Sequence, residues 1–138
     1  MSPHEFLHPS HWKPALGYSH GVSARGRLVV TGGIIGWNPD QVFESDDFAA
    51  QAGQALRNVV ELLACGGARP EHLVRLTWYV TDKREYLASL KHLGREYRAV
   101  MGAHFPAMAL VQVVALVEDR AKVEIEATAV VPDSFDQE

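Results

Sequence analysis

KVEIEATAVV, residues 122–131, alternates apolar and polar side chains through most of its length. Successive residues of an extended chain point to opposite sides. Val123, Ile125, Ala127 and Ala129 therefore share one face of a strand, and Glu124, Glu126 and Thr128 share the other. A turn at EDRA precedes this strand. Before it, MALVQVVAL at 108–116 is almost continuously apolar and reads as a strand buried on both faces.

Moving toward the N-terminus, the periodicity changes. Leu87, Leu90, Leu93, Tyr97, Val100 and Met101 recur at helical spacing and predict a helix over about 84–101. Gly94 lies inside it, at a cost of about 1 kcal/mol relative to alanine, which marks it as a point of close packing. VRLTWYVTD, 74–82, is β-branched and aromatic and reads as a strand. Trp78 and Tyr79 then face opposite ways, one toward a core and one toward an interface. Phe48, Ala52, Ala55, Leu56, Val59, Leu62 and Leu63 predict an amphipathic helix over 46–65. Ser45 or Asp46 would cap its start, and Gly66 and Gly67 would end it in a left-handed conformation. RLVVTGGII at 27–35 and YSHGVS at 18–23 read as strands around a turn at Arg25-Gly26.

The order is β-β-α-β-α-β-β, an α+β arrangement with two helices on one face of a sheet. Residues 1–14 read as an N-terminal arm whose Pro3, Pro9 and Pro14 discourage regular structure. Residues 15–132 form one domain, and 133–138 a polar tail. Two helices cannot cover both faces of the sheet, and the apolar 108–116 strand suits solvent poorly. The uncovered face is expected to be buried by self-association.

Composition narrows the function classes. The chain has 138 residues, 47% hydrophobic and 22% charged, with a formal net charge of −4. No run of Lys or Arg suggests a nucleic-acid face, and no stretch is long and apolar enough to span a membrane. The N-terminus shows no apolar run behind a basic start. Cys65 is the single cysteine, so no internal disulfide can form, and a reducing, cytoplasmic setting is expected.

Several residues carry possible chemistry beside a plainer reading. Glu124 and Glu126 are either a solvated strand face or, at the edge of a covered sheet, partly desolvated acids suited to proton transfer. TGGIIG, 31–36, is either a bulge or a place where a ligand approaches bare backbone. It is not a phosphate loop, because no Lys-Ser or Lys-Thr follows and no helix starts there. His4, His8 and His11 have metal-like spacing, but proline breaks their arm and no fourth ligand follows, so no metal is expected. His20 reads as a structural hydrogen-bonding residue before a proton shuttle. Cys65 reads as a buried thiol rather than a nucleophile.

GYSHGV (17–22), LVVTGGIIGWNP (28–39), AQAGQALRNVVELLACGG (50–67), LTWYVTD (76–82), YRAVMGAHFPAM (97–108) and VEIEATAV (123–130) together resemble the Rid, or YjgF, family of reactive-intermediate deaminases. The resemblance runs from about residue 14 to 132. It implies a chorismate-mutase-like fold and a homotrimer whose sheets form an inner barrel with small-molecule clefts between subunits. It also implies hydrolysis of enamines and imines without metal or organic cofactor. Carried over by position, Tyr18 matches a cleft tyrosine, Gly32 and Gly33 match a cleft-lining strand, and Glu124 matches a glutamate that positions water. Gly94 falls, by its spacing to FPA, where many members have asparagine.

Met108 departs from the pattern. It stands where the family has an arginine that forks onto the substrate carboxylate. A thioether cannot replace such a fork. Charged hydrogen bonds are worth on the order of 1.5–3 kcal/mol each, so small imino acids would bind roughly two or more decades less tightly. Arg25, Arg27, Arg95 and Arg120 are candidates to supply the charge from elsewhere. Three functions follow: a deaminase with a more apolar cleft, a binding module without catalysis, and, against the acidic charge, a ribonuclease.

Overall fold

The computed structural model describes residues 3–133. Strands β1 (Glu5–Leu7) and β2 (Gly21–Ser23) pair with each other; β3 (Arg27–Val30), β4 (Ile34–Ile35), β5 (Leu73–Val80), β6 (Ala107–Gln112) and β7 (Val123–Val131) make the main sheet. Helices α1 (Phe48–Cys65), α2 (Lys83–Ala88) and α3 (Leu90–Met101) complete the chain. The main sheet runs β3-β7-β5-β6, with β4 beside β3 on the same edge of β7. β5 and β6 are parallel; the pairs made by β7 are antiparallel.

The alternation of β7 does what its sequence implies. Val123, Ile125, Ala127 and Ala129 are buried beneath α1, joined from β5 by Leu76, Trp78 and Val80. α1 contributes Ala52, Ala55, Leu56, Val59 and Leu63, and α3 contributes Leu93, Tyr97 and Met101. All of this apolar surface lies on one side of the sheet. The other side carries Tyr79, Glu124 and Glu126, with Leu28 and Val30 exposed on β3 and Val111 exposed on β6.

The departures from expectation have local causes. The cap of α1 is Asp47, whose carboxylate accepts the Ala50 N–H at 2.9 Å. Ser45 instead accepts the Asp47 N–H, and Asp46 pairs with Arg120. Leu62 falls off the buried stripe and is exposed. At the far end Gly67 is left-handed, with φ +76°, as expected, whereas Gly66, the C-cap, is not, at φ −95°.

The 27–35 segment is two strands. Val30 faces Thr128, and that register would set Ile34 opposite Glu124; Ile34 sits opposite Ile125 instead. The slip is a bulge. Thr31 bridges it: its N–H donates to Ala127 O, and its hydroxyl accepts the Ala127 N–H, both at 3.0 Å.

The helix expected over 84–101 breaks at Ser89, whose hydroxyl donates back to Glu85 O at 2.7 Å. This back-bond bends helices, and Leu87 and Leu90 remain exposed. β6 ends at Gln112 because its partner β5 ends at Val80; beyond it, Val114 and Val117 stand in solvent. Of the segment 18–23 only Gly21–Ser23 is a strand, and its partner is β1, so the N-terminal arm does carry regular structure between its prolines. The polar tail beyond Asp133 lies outside the described residues.

Candidate functional site

The predicted site residues fall into two groups on opposite sides of the main sheet. The first surrounds a cavity of about 550 Å³ between α2, α3 and the β5–β6 edge. Tyr18, Gly94 and Met108 all line it. Ser19 ties the Tyr18 segment in place: its N–H donates to Pro106 O at 3.0 Å, and its hydroxyl donates to Phe105 O. FPA is thus clamped from one side by the residue after Tyr18. From the other side, Tyr97 stacks on Phe105 with centroids 5.1 Å apart, and its hydroxyl donates to His104 O. Burial pushes the Tyr97 pKa well above the usual tyrosine range.

Met108 pairs in register with Leu76 and packs partly buried against the core. It therefore faces the helix side of the sheet. Trp78, beside it, is 4% exposed and lines the same cavity, while its Nε1–H has no hydrogen-bond partner among the described residues. Tyr79 faces the opposite way, as its adjacency to Trp78 requires.

The second group is on the open face. Glu124 extends over Gly33, and a Cβ built on Gly33 would fall 2.2 Å from Glu124 Oε2. Only glycine leaves the carboxylate this position. The Cβ position of Gly32 meets nothing within 4 Å. Next to Glu124, Glu126 accepts the Tyr79 hydroxyl at 2.6 Å, and this bond is the main cause of a raised Tyr79 pKa. Glu126 is thus occupied. Glu124 makes no hydrogen bond or ion pair among the described residues, and it is the freer acid.

None of the four arginines considered from sequence lines the cavity. Arg120 is committed elsewhere: it donates to Asp46 through Nε and Nη2 and to Phe43 O through Nη1. Sequence reasoning overlooked Arg98, which does line the cavity. It stands one helical turn after Gly94, and its Nη1 lies 3.3 Å from where a Gly94 Cβ would be. That spacing was the available signal.

The remaining candidates have structural surroundings. His4 Nε2 lies 3.0 Å from His72 O and His8 Nε2 lies 3.0 Å from Trp12 O, so these two rings serve different carbonyls. His20 packs edge-on to Tyr18 and Trp12 and stacks with His8. Cys65, expected to be buried, is exposed, because it falls outside the buried stripe of α1.

The architecture is that of the chorismate-mutase-like α+β class. The chain matches the sequence profile described as endoribonuclease L-PSP over residues 9–131. It is 34% identical over 113 residues to the 2-iminobutanoate/2-iminopropanoate deaminase of Escherichia coli K12, spanning 82% of this chain and 86% of that one. The crystal structure of the Rid-family protein YyfB from Yersinia pestis superposes with a TM-score of 0.83 at 30% identity, covering 94% of this chain and 99% of the other. The crystal structure of YjgF from E. coli gives 0.64 at 34% identity over 82% and 87%. The chain belongs to the YjgF/Rid family.

Proposed function

We propose that the protein is a homotrimeric imine and enamine hydrolase, with sites shared between neighbouring chains and no metal or organic cofactor. The observation that carries this reading is the separation of Tyr18, Gly94 and Met108 from Gly33 and Glu124 by the thickness of the sheet. One chain cannot close both groups on one small molecule. A neighbour packed over the open face can bring its acid to another chain's cavity. Leu28, Val30 and Val111 give that face the exposed apolar surface such packing needs. The names of the E. coli and Salmonella relatives, 2-iminobutanoate/2-iminopropanoate deaminase, support the chemistry.

The reaction adds water across a carbon–nitrogen double bond. Glu124 takes a proton from water as the water oxygen bonds to the imine carbon, and passes that same proton to the nitrogen, giving a neutral carbinolamine. Glu124 then takes the carbinolamine hydroxyl proton and delivers it to the nitrogen as the C–N bond breaks and the C=O bond forms, and a carbonyl compound and ammonia leave. Tyr18 orients the substrate, the backbone at Gly32 and Gly33 lines the pocket, and Met108 makes it more apolar than an arginine would.

The test is ammonia release from freshly generated imines, with light scattering on the same sample. A trimer that releases ammonia, and a Glu124→Gln variant slower by about 10²–10⁴-fold, are expected. A stable monomer, or a fully active Glu124→Gln protein, ends this reading. Met108 favours a second reading, a binding module without turnover; saturable binding of keto acids unaffected by Glu124→Gln and without ammonia release would select it. A ribonuclease is disfavoured by the net charge of −4.

A further inference from the structure

Five aromatic side chains line the cavity: Tyr18, Trp78, Tyr86, Tyr97 and Phe105. A volume of about 550 Å³ lies in the range of roughly 300–1,000 Å³ that holds drug-sized ligands. A four-carbon imino acid would leave most of it empty and would meet aromatic walls with a short alkyl chain. The cavity is shaped for a ring or a long apolar side chain.

Arg98 is the one charged residue among the lining side chains. Its guanidinium forms no ion pair among the described residues. It lies back along α3 over Gly94, which also lines the cavity, and the missing Cβ of that glycine makes room for it. This accounts for a glycine in mid-helix, where alanine would hold the helix better. The unpartnered Nε1–H of Trp78 is a second indication. Buried donors are almost always paired, and a ligand oxygen is an acceptor that this donor lacks.

We propose that the cavity selects carboxylic acids bearing an aromatic or long apolar side chain, and that Arg98, seated over Gly94, is the specificity residue that recognises the carboxylate. The inference rests on reading the cavity as half of a deaminase site and concerns which substrate enters it. The charge absent at Met108 is supplied from the helix side rather than from the strand. Because Arg98 is exposed, its contribution is that of a solvent-screened pair and not of a buried fork.

Calorimetric titration of the assembled protein with 3-phenylpropanoate, 3-phenylpropanamide and propanoate tests this. The aromatic acid should bind saturably, about fivefold more tightly than its neutral amide, and propanoate should bind far more weakly. Arg98→Met should abolish the preference for acid over amide while leaving amide affinity in place, and Arg98→Lys should restore part of it. Equal binding of acid and amide, an unchanged preference in Arg98→Met, or propanoate binding as tightly as the aromatic acid would overturn the proposal. Ammonia release on the same preparations separates it from the parent reading. Aromatic acids that bind without any imine being hydrolysed defeat the deaminase and leave the Arg98 assignment standing. Imine hydrolysis that 3-phenylpropanoate does not inhibit defeats the Arg98 assignment alone.

Discussion

Around Tyr18 and Met108 the chain encloses space, whereas around Glu124 it removes every atom that would crowd one carboxylate. The cavity is walled by large side chains from four separate segments, each held by its own packing, such as Tyr97 on Phe105. The acid depends on a single absent methyl at Gly33. A wall of many parts tolerates a change in one of them and alters what fits. A position that requires a bare backbone fails when it gains one atom. In the proposed hydrolase the first half is therefore where specificity can vary, and the second is where chemistry is fixed.

The most direct way to break this comparison is to put the two halves on different chains. Met108→Trp is expected to block the cavity and Glu124→Gln to silence the acid, so each assembly alone is nearly inactive. Co-refolded in equal amounts, they should recover roughly a quarter of the unaltered activity, since random mixing pairs an intact cavity with an intact acid at that frequency in a closed ring. Ammonia release from the mixture checks it. No recovery would place both halves within one chain.

Gly33→Ala should come next. Its Cβ would have to push Glu124 Oε2 from 2.2 Å to contact distance, and a displacement near 1 Å can cost roughly 100-fold in rate. Gly32→Ala, with open space at its Cβ, should lose less. Steady-state rates with ligand affinities measured in parallel would show whether the loss lies in turnover, as predicted, or in binding.

Gly94→Ala should act in the opposite sense on stability. Alanine is worth up to about 1 kcal/mol in a helix interior, and its Cβ would meet only the flexible end of Arg98 at 3.3 Å. Denaturant melting should show a more stable protein, and titration should show weaker preference for the acid over the amide.

The smallest effect lies away from both halves. His72 is buried, and its Nδ1 accepts the Arg69 N–H at 3.0 Å. Burial lowers its pKa below the ordinary 6.5. The unfolded chain therefore takes up a proton more readily than the folded one. Stability from this group is complete above pH 6.5 and declines as pH falls through the lower folded value. His72→Gln should flatten the acid side of a stability–pH curve. Activity lost in acid beyond that decline would belong to the two halves of the site.

Much of this was legible in the sequence. β7 announced itself because its period of two holds from Val123 to Ala129, and that face is buried over the same stretch. α1 was equally plain, because its apolar stripe is long and a glycine pair ends it, although its cap, Asp47, lies one residue past the two expected. Two of the failures share a cause, which is a hydrogen bond made by a side chain. Thr31 interrupts the 27–35 ladder, and Ser89 divides the helix expected over 84–101. β6 stopped early because its length is set by where β5 ends, which no property of Val113 or Val114 reveals. Arg98 went unnoticed because its importance comes from a wall assembled from distant segments. A glycine four residues earlier was the only local trace.

The slip in register between β3 and β4 has an engineering consequence. In a perfect ladder Gly33 would stand opposite Ile125 and face the core; with the slip it shares the face of the Glu124 carboxylate, while Ile34 turns onto the core and Ile35 stands opposite Glu124. Anyone transplanting this chemistry into a designed sheet should therefore copy the defect, with its threonine clasp and two glycines, before copying the glutamate. An ideal scaffold would keep the acid on its face but turn the glycine that makes room for it to the other side of the sheet.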